Sequence, residues 1–500
     1  MFKKLYSYQK KILHLSKSHN KGIFCLPTGT GKTYCEASIL AYNIKNNKES
    51  NIYVVNAPRI LLSYQLLKET YNFLTRSNIE ARYMFVHSGS SIDEQELEEI
   101  RINSNIPYSQ IISTTKIDNI VEMINKASAQ NLSLIIFSTY NSSFKIEIAR
   151  KQSNSNIEIM INDEAHYLVR EDFHYILNEL KSNKRYFFTA TMINTPSNKG
   201  RGMNNKKVYG KVLYYMTPRQ AIDKGKMVRP RLHILTTEGV YDIDDYQKSL
   251  NKIIYKAFKE HTLFIKQEPK LLISVKGTLD IKKFLNSNEY ELLRKEEVDV
   301  YAVSSNDTIG NNINKVKTDR LSFLTSLKKN GEDINKKLIV LHYDILSEGI
   351  DVSGFTGLLP LRSLSKSKFL QTYGRCARLD KTDRINIENK TIKSYNLDEL
   401  NKPYSYIIIP NVVQSNEDDK SNFIKLITEL RSYGFKPVEH IVSLSNINGI
   451  PEIDELENLN DIQKRFPNIG NLIEKIESDL EDVKNAKLNN NKFLSKYFKL

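Results

Sequence analysis

Two carboxylates and an imidazole follow directly after a short apolar run in the first half of the chain. Residues 159–161 are Ile-Met-Ile, and Asp163, Glu164 and His166 come within five residues of the end of that run. Burying bare carboxylates is costly unless a cation or hydrogen bonds neutralise them. The sequence therefore predicts that this strand end is open to water or lies beside a positively charged group.

A glycine-rich stretch near the N-terminus can bind phosphate. The segment GIFCL runs into PTGTGKTYCEASIL, and glycines there let backbone N–H groups curl around phosphate oxygens. Lys32 would reach the β and γ phosphates, and the Thr33 hydroxyl would hold Mg²⁺. The alternative is a plain glycine-rich turn, since Leu26 stands where the strict pattern has a small residue. The predicted nucleotide-binding residues of this loop are Pro27, Thr28, Gly29, Thr30, Gly31, Lys32 and Thr33.

The phosphate loop gives the Asp–Glu pair a role. Asp163 is predicted at the end of another strand of the same sheet, where it can hold Mg²⁺ through water. Glu164 beside it can take a proton from the attacking water. The alternative is a carboxylate pair that is simply solvated at a strand end.

Composition and charge narrow the class of protein. The chain has 500 residues, so two or three domains are expected, and its apolar (40%) and charged (26%) contents are typical of a soluble globular protein. Lys and Arg exceed Asp and Glu by 73 − 58 = 15. That excess favours contact with a polyanion, although a basic composition without any binding role explains it equally well.

The sequence predicts an intracellular protein without a membrane partner. No apolar run approaches the ~18–20 residues needed to span a bilayer. The N-terminal segment lacks the continuous apolar core of a signal peptide. Three scattered cysteines suggest a reducing compartment. We therefore expect a soluble, cytoplasmic location, either in a host cell or in a virion if the source is viral.

Two series of short apolar segments alternate with helical patterns, which indicates α/β domains with parallel sheets. Helices are predicted at residues 32–42 and 63–74, and ligands of such sheets bind beyond the carboxyl ends of the strands. We predict domains at 1–200 and 231–412. An interdomain connection is predicted at 201–230, and a helical extension at 413–500. The predicted strands are GIFCL, NIYVVNA, LSLIIFS, IEIMIND and RYFFTAT in the first series, and RPRLHILTT, KLLISVKG, VDVYAVSS, KKLIVLHYD, GLLPLRS and PYSYIIIP in the second.

The order of the motifs from Tyr8 to Arg378 resembles that of superfamily 2 helicases with a DEAH-type second motif. The resemblance implies two tandem RecA-like domains that close on ATP and Mg²⁺ and open on hydrolysis. Each cycle would shift the grip on a nucleic-acid backbone, which is coupling through contacts that differ between two states.

Several segments of the first domain gain roles from this resemblance. In LYSYQKKIL, Gln9 would read the adenine edge; the alternative is an exposed glutamine on an amphipathic helix. In NAPRILLSYQ, Arg59 would contact a nucleic-acid phosphate, as would the Ser138 and Thr139 hydroxyls in FSTYNS. Hydroxyls and basic residues at loop ends are also common without any ligand.

The segment FTATM resembles the motif that links hydrolysis to movement. Thr189 and Thr191, together with His166, would relay between the Asp–Glu pair and the nucleic acid. The three residues TAT alone do not indicate a function. Their position one strand after DEAH supports the prediction.

Two segments of the second domain resemble the remaining motifs. In LSEGIDV, Gly349 would allow close backbone approach and Asp351 would bind a ribose hydroxyl; the alternative is a loop between strands. QTYGRCAR fits the family pattern through Gln371, Arg375 and Arg378. One helical turn separates the two arginines, so both can face the γ-phosphate as arginine fingers. The alternative is two arginines on a solvated helix.

The short N-terminal motif and LPTGTGK resemble the DNA-translocating branch, which includes restriction-enzyme motors, phage recombination helicases and helicases of large DNA viruses. The expected activity is therefore ATP-dependent helicase or translocase action, more likely on DNA than on RNA. One alternative is an RNA helicase that acts in transcription. A second is an ATP-gated nucleic-acid clamp or the motor subunit of a defence complex. The sequence does not indicate a protein partner.

Overall fold

The protein divides into two compact units between Met216 and Thr217. The computed structural model describes most of the chain in a series of ranges. They are residues 5–47, 49–87, 111–196, 200–235, 246–304, 308–343, 354–362, 364, 366–410, 427, 441–447, 450–456, 458–466, 469–471, 473–474 and 478. Within these ranges, no helix combines the length and the apolar character that a bilayer crossing requires.

The first unit is built on an eight-stranded sheet in which all neighbouring strands are parallel. The spatial order is β4-β3-β5-β2-β6-β7-β1-β8. The strands are β1 (Lys21–Cys25), β2 (Ile52–Ala57), β3 (Arg82–Val86), β4 (Ile111–Thr114), β5 (Leu134–Thr139), β6 (Ile157–Asn162), β7 (Lys184–Thr189) and β8 (Lys211–Tyr215).

Helices connect these strands, as parallel pairing requires. The central strands β2 and β5 are buried along their whole length, which fits a sheet covered on both faces. The helices of the first unit are α1 (Ser7–Ser18), α2 (Lys32–Asn46), α3 (Ile60–Arg76), α4 (Ile117–Ala129), α5 (Ser143–Gln152), α6 (Glu171–Glu179) and α7 (Lys206–Tyr209).

Strand order decides which loops meet at the carboxyl edge of this sheet. The phosphate loop follows β1, and Asp163 and Glu164 follow β6. Strand β7 lies between these two strands and ends at Thr189. Since all three strands are parallel, the three loops leave the sheet at the same edge, in the order DEAH loop, Thr189 loop, phosphate loop.

The second unit contains a ten-stranded sheet with the order β13-β12-β11-β14-β10-β15-β16-β9-β17-β18. Pairing is parallel from β11 to β17 and antiparallel at both ends. The strands are β9 (Arg229–Leu235), β10 (Lys270–Ser274), β11 (Asp299–Val303), β12 (Asn311–Ile313), β13 (Val316–Thr318), β14 (Leu338–His342), β15 (Gly357–Pro360), β16 (Tyr404–Pro410), β17 (Ile441–Ile447) and β18 (Ile450–Leu456).

Helices of the second unit pack on a core that includes Phe258, Phe284 and Leu293. Together with the sheet they confirm the predicted α/β class with a second parallel sheet. The helices are α8 (Pro218–Asp223), α9 (Tyr246–Phe264), α10 (Thr278–Leu285), α11 (Asn288–Lys295), α12 (Arg320–Glu332), α13 (Lys366–Cys376), α14 (Lys381–Glu388) and α15 (Leu459–Arg465).

The boundaries of the units differ from the predicted ones in two places. Residues 201–230 were expected to connect the domains, but β8 lies within that range and pairs with β1. Residues 413–500 were expected to be helical, but β17 and β18 form a hairpin there that extends the second sheet through β9. Both additions lie toward an end of a sheet, where strands carry weaker apolar patterns than buried central strands.

Candidate nucleotide-binding site

The phosphate loop is held in shape by glycine geometry and by helix α1. Gly29 and Gly31 have φ angles of 85° and 79°, a region that only glycine adopts without strain. The Thr30 hydroxyl donates to the Pro27 carbonyl at 2.7 Å, and the Tyr8 hydroxyl of α1 donates to the Thr30 carbonyl at 2.5 Å. These contacts and the two glycine conformations together define the shape of the loop.

Gln9 contacts the same loop and is almost fully buried. Its Nε2 donates to the Gly31 carbonyl at 3.4 Å, and its Oε1 accepts a hydrogen bond from the Tyr6 N–H at 3.0 Å. A Cβ added at Gly31 would lie 2.9 Å from the Gln9 Nε2. Gln9 thus supports the conformation of the phosphate loop. The adenine contact that the sequence predicts for Gln9 stays a prediction.

The phosphate loop and the DEAH loop bring their charged groups together. The Lys32 Nζ lies 3.5 Å from the Glu164 Oε1. Lys32 and Thr33 are the first two residues of α2, so both stand at the positive end of its dipole. Glu164 has a φ of 48°, which is uncommon for a residue with a side chain and marks a constrained backbone.

Backbone contacts fix Asp163. Its N–H donates to the Asn56 carbonyl at 2.9 Å, and its own carbonyl accepts from the buried Tyr140 hydroxyl at 2.6 Å. The Asn56 side chain donates to the Asn162 Oδ1 at 3.3 Å and accepts from the Ser143 hydroxyl at 3.0 Å. This buried polar row ties the ends of β2 and β6 together beneath the carboxylates.

The environment separates the acidities of the two carboxyl groups. Burial and the neighbouring Glu164 raise the pKa of Asp163 to about 6. Burial alone would also raise the pKa of Glu164, but Lys32 and a hydrogen bond from His166 outweigh it and hold that pKa at about 2. Burial acts against the charge of Lys32, yet the surrounding carboxylates raise its pKa. The pair Lys32–Glu164 is therefore ionised at neutral pH.

His166 joins the DEAH loop to the end of β7. Its Nδ1 lies 3.4 Å from the Glu164 Oε2 and 3.1 Å from the Thr189 Oγ1. The Thr189 hydroxyl donates to the Thr191 carbonyl at 2.8 Å and accepts from the Thr191 N–H at 3.1 Å. The three residues predicted to couple hydrolysis to movement thus contact one another in sequence, and His166 brings them next to Glu164.

The three residues predicted to bind nucleic acid differ in exposure. Arg59 is exposed at the start of α3. Ser138 and Thr139 are the last residues of β5 and are buried. The Ser138 hydroxyl donates to the Thr139 carbonyl, and the Thr139 hydroxyl donates to the Ser142 hydroxyl, both at 3.0 Å. Both hydroxyls therefore face the protein in this structure.

In the second unit, Gln371 and Arg375 lie on α13 and are buried, whereas Arg378 lies beyond the end of that helix. Helix α13 ends two residues before Arg378, so the predicted orientation of both arginines toward one side stays a prediction. The Ala377 carbonyl accepts from the Val228 N–H instead of continuing the helix. The Arg378 carbonyl accepts from the Lys402 Nζ at 2.7 Å.

Burial lowers the pKa of Arg378 to about 10, and Arg384 acts in the same direction. The guanidinium therefore stays cationic at neutral pH. Gly349 and Asp351, the predicted nucleotide contacts of this unit, lie outside the described residues.

Sequence reasoning missed two residues that border the carboxylates, Tyr140 and Glu36. Glu36 is 1% exposed on α2, and burial together with Asp163 raises its pKa well above the ordinary value. A signal for it existed, because Glu36 is an acidic residue within CEASIL, where its helix neighbours are small or apolar. Nothing in the sequence points to the Tyr140 hydroxyl, which needs the folded loop to meet Asp163.

Thr33 and Asp163 remain the predicted magnesium ligands, and the structure offers a fit. The Asp163 Oδ1 is buried and has no hydrogen-bond partner among the described atoms, so it is suited to receive a cation. No cluster of three or more His, Cys, Asp or Glu side chains suited to a metal ion occurs in the described ranges. A magnesium ion would therefore take much of its coordination shell from phosphate and water, as it commonly does.

Comparison with known proteins shows which sequences and folds resemble this chain. Residues 2–194 match the family model described as "Type III restriction enzyme, res subunit". Over 280 residues the chain is 22% identical to the "ATP-dependent RNA helicase DBP6" of Vanderwaltozyma polyspora. This match covers 54% of this chain and 41% of the relative.

Two solved structures share the fold. The "ATP-dependent Type ISP restriction-modification enzyme LlaBIII bound to DNA" is 18% identical, with a TM-score of 0.68, and the match covers 95% of this chain and 33% of that one. A nuclease-deletion mutant of the Type ISP enzyme LlaGI in complex with a DNA substrate mimic is 19% identical, with a TM-score of 0.57 over 86% of this chain and 29% of that one. The chain spans less than half the length of each of these relatives. The shared fold is that of tandem RecA-like domains.

Proposed function

We propose that the protein is an ATP-dependent superfamily 2 helicase or translocase, since residues 2–194 match the family model described as "Type III restriction enzyme, res subunit". The observation that carries the proposal is the contact between Lys32 and Glu164 across two loops of one sheet. A phosphate-binding lysine beside a carboxylate is the arrangement that nucleotide hydrolysis needs.

The apparent obstacle is the low pKa of Glu164, which makes it a weak base while Lys32 is paired with it. Phosphate binding resolves this. Lys32 would turn to the β and γ phosphates, and Glu164 would lose the cation that lowers its pKa. Glu164 then becomes basic enough to take a proton from the attacking water. Mg²⁺, when bound at Thr33 and Asp163, would neutralise charge on the phosphates.

His166, Thr189 and Thr191 would pass on this change. His166 contacts both Glu164 and Thr189, so a shift of the Glu164 carboxylate alters the hydrogen bond that orients the β7 loop. We assign these residues a coupling role.

The catalytic role of Gln371, Arg375 and Arg378 rests on their resemblance to the family motif. We propose that the two arginines stabilise charge on the γ-phosphate.

For the polymer we propose DNA. The short glutamine motif resembles the DNA-translocating branch, and the solved structures with this fold include two restriction enzymes described with DNA or a DNA mimic. Exposed Arg59 would contact a phosphate, while Ser138 and Thr139 would shape the loop and offer hydroxyls only after a local rearrangement. The match to a protein named as an RNA helicase supports RNA as the alternative polymer. For a nucleic-acid substrate of either kind we propose an intracellular location, or a virion if the source is viral.

The test is ATP turnover with single-stranded DNA, duplex DNA, branched DNA and RNA, each at two salt concentrations. We expect weak turnover alone and stimulation by DNA at least as strong as by RNA. The stimulation should fall steeply with salt because the contacts are mainly to phosphate. Lys32→Ala is the control and should abolish turnover with an unchanged circular dichroism spectrum.

Three outcomes would revise the proposal. Stimulation by RNA alone would move the function to the RNA alternative. Turnover that no polymer changes would contradict a motor. Turnover that is stimulated without any strand displacement or translocation would favour the clamp.

A further inference from the structure

Glu36 is a buried carboxylate to which the proposed hydrolysis gives no role. It lies in the second turn of α2 and is 1% exposed, and its neighbours Cys35 and Ala37 are buried as well. Neither of its carboxylate oxygens has a hydrogen-bond partner among the described atoms. An acidic group without a partner in such a place is destabilising. Such a group is neutralised either by a proton or by a positively charged ligand.

The charges around Glu36 show what kind of ligand is missing. Asp163 and Glu164 both act on Glu36 electrostatically, and Asp163 is the stronger of the two. Lys32 lies one helical turn before Glu36, so both side chains project from the same face. The Lys32 ammonium already lies 3.5 Å from Glu164. Lys32 is thus the cation near three carboxylates, Glu36, Asp163 and Glu164. It pairs with Glu164 and not with Glu36.

Glu36 and Asp163 act on one another directly, since each shifts the pKa of the other. The Asp163 Oδ1 lacks a hydrogen-bond partner among the described residues, as do both oxygens of Glu36. Carboxylate oxygens are preferred ligands of Mg²⁺ and Mn²⁺, and such ions are often held by one or two carboxylates while phosphate and water complete the shell. Two carboxylates and the Thr33 hydroxyl fit that pattern.

We propose that Glu36 is a further ligand of the divalent cation that Asp163 holds, either directly or through one water. The nucleotide site then contains a carboxylate pair that binds a hard divalent cation even before nucleotide arrives. This inference rests on the proposed function for its assumption that the cation is the one used with ATP. The competing arrangement is a proton shared between Glu36 and Asp163, with no role in cation binding.

The experiment measures Mn²⁺ binding to the full chain by electron paramagnetic resonance of the free ion, with and without ADP. Glu36→Gln keeps the shape of the side chain and removes its charge. Glu158→Gln is the matched control, because it removes the same charge from β6, at the end of the strand far from Asp163. We expect Glu36→Gln to weaken Mn²⁺ binding about 10–100-fold, the range found when groups supporting a metal site are lost. Glu158→Gln should stay within about twofold of the parent.

Thermal unfolding provides a second readout and checks folding. Without divalent cation, Glu36→Gln should be at least as stable as the parent, because the substitution removes a buried group that lacks a partner. Mg²⁺ should raise the Tm of the parent more than that of the variant, since a ligand stabilises the state that binds it. If Glu36→Gln does not fold, Glu36→Met removes the same charge with a side chain of similar length.

Equal Mn²⁺ affinity in the parent and in Glu36→Gln would overturn the inference and favour the shared proton. So would a parent that shows no Mn²⁺ site without nucleotide. The failure of the proposed function is a different result: Mn²⁺ would bind and depend on Glu36, while ADP would not bind at all. Nucleotide binding with no dependence of the cation on Glu36 would leave the function standing and remove the inference.

Discussion

Glu164→Gln should slow hydrolysis and at the same time tighten nucleotide binding, whereas most substitutions in an active site weaken binding. The variant keeps the size of the side chain but loses the proton acceptor, so hydrolysis should slow by orders of magnitude. It also loses the ion pair with Lys32, whose Nζ lies 3.5 Å from the Glu164 Oε1. Lys32 is then available to phosphate without first breaking a contact.

The size of the binding effect follows from the pKa of Glu164. That pKa falls from 4.5 to about 2 even though burial acts to raise it, with Lys32 and His166 lowering it. One pKa unit corresponds to about 1.4 kcal/mol, so the net stabilisation of the carboxylate, after the opposing effect of burial, is about 3 kcal/mol. If Lys32 supplies roughly half, releasing it costs about 1–2 kcal/mol. Glu164→Gln should therefore bind nucleotide about tenfold more tightly.

The assay is a titration with a fluorescent ADP analogue, which avoids turnover, together with single-turnover hydrolysis of ATP. Glu171→Gln is the control because it removes an exposed carboxylate on α6 that pairs with Arg201. Both quantities should stay near those of the parent in the control. Unchanged hydrolysis in Glu164→Gln would show that Glu164 is not the base. Weaker nucleotide binding would show that Glu164 holds the metal or the loop and does not restrain Lys32.

Two further predictions concern the second unit. Arg378→Ala should slow hydrolysis by at least about 10³-fold, the lower range for an arginine finger. The control Arg384→Ala, at an exposed position, should change hydrolysis less than about twofold. A loss below tenfold for Arg378→Ala in steady-state turnover would assign the finger to Arg375 or to neither. His261 should make the fold acid-sensitive, because burial and the nearby His233 lower its pKa to about 3. Between pH 6.5 and about 3 the unfolded chain binds a proton at His261 that the folded chain does not. Stability is therefore fully present above pH 6.5 and falls by up to about 1.4 kcal/mol per pH unit as the pH drops. Urea unfolding from pH 7 to pH 5 should show a shallower pH dependence for His261→Gln, and an equal slope in parent and variant would contradict the assignment.

The sequence predicts helices and strands well where the apolar pattern of a segment fits only one kind of element. The predicted helices at 32–42 and 63–74 correspond to α2 and α3, and each predicted apolar segment overlaps a strand. A buried parallel strand needs a continuous apolar run, so these segments could be read from composition alone. Strand β8 could not, because its side chains are mostly exposed and its pairing with β1 supplies the reason it forms.

The candidate site likewise contains features that the sequence predicts and features that only the folded structure reveals. Glycines at 29 and 31 predict the phosphate loop, because the positive φ angles of that loop favour glycine. The contacts of Ser138 and Thr139 could not be foreseen, because a hydroxyl at a strand end can turn to solvent or to the neighbouring loop, and only the folded loop selects the second. Glu36 was overlooked because an acidic residue within a helix is ordinarily solvated. Its burial depends on the sheet that packs beside it.

Strand order explains why the coupling residues belong to the end of β7. Along the chain, the phosphate loop comes first and the DEAH loop much later, yet in the sheet only β7 separates them. Besides the direct contact between Lys32 and Glu164, a second path from Glu164 runs through His166 to Thr189, with contacts of 3.4 and 3.1 Å. The Leu26 N–H at the start of the phosphate loop in turn donates to the Thr189 carbonyl at 2.9 Å. A change in the Lys32–Glu164 pair is thus connected to the β7 loop from both sides, which is the property that a residue linking hydrolysis to movement requires.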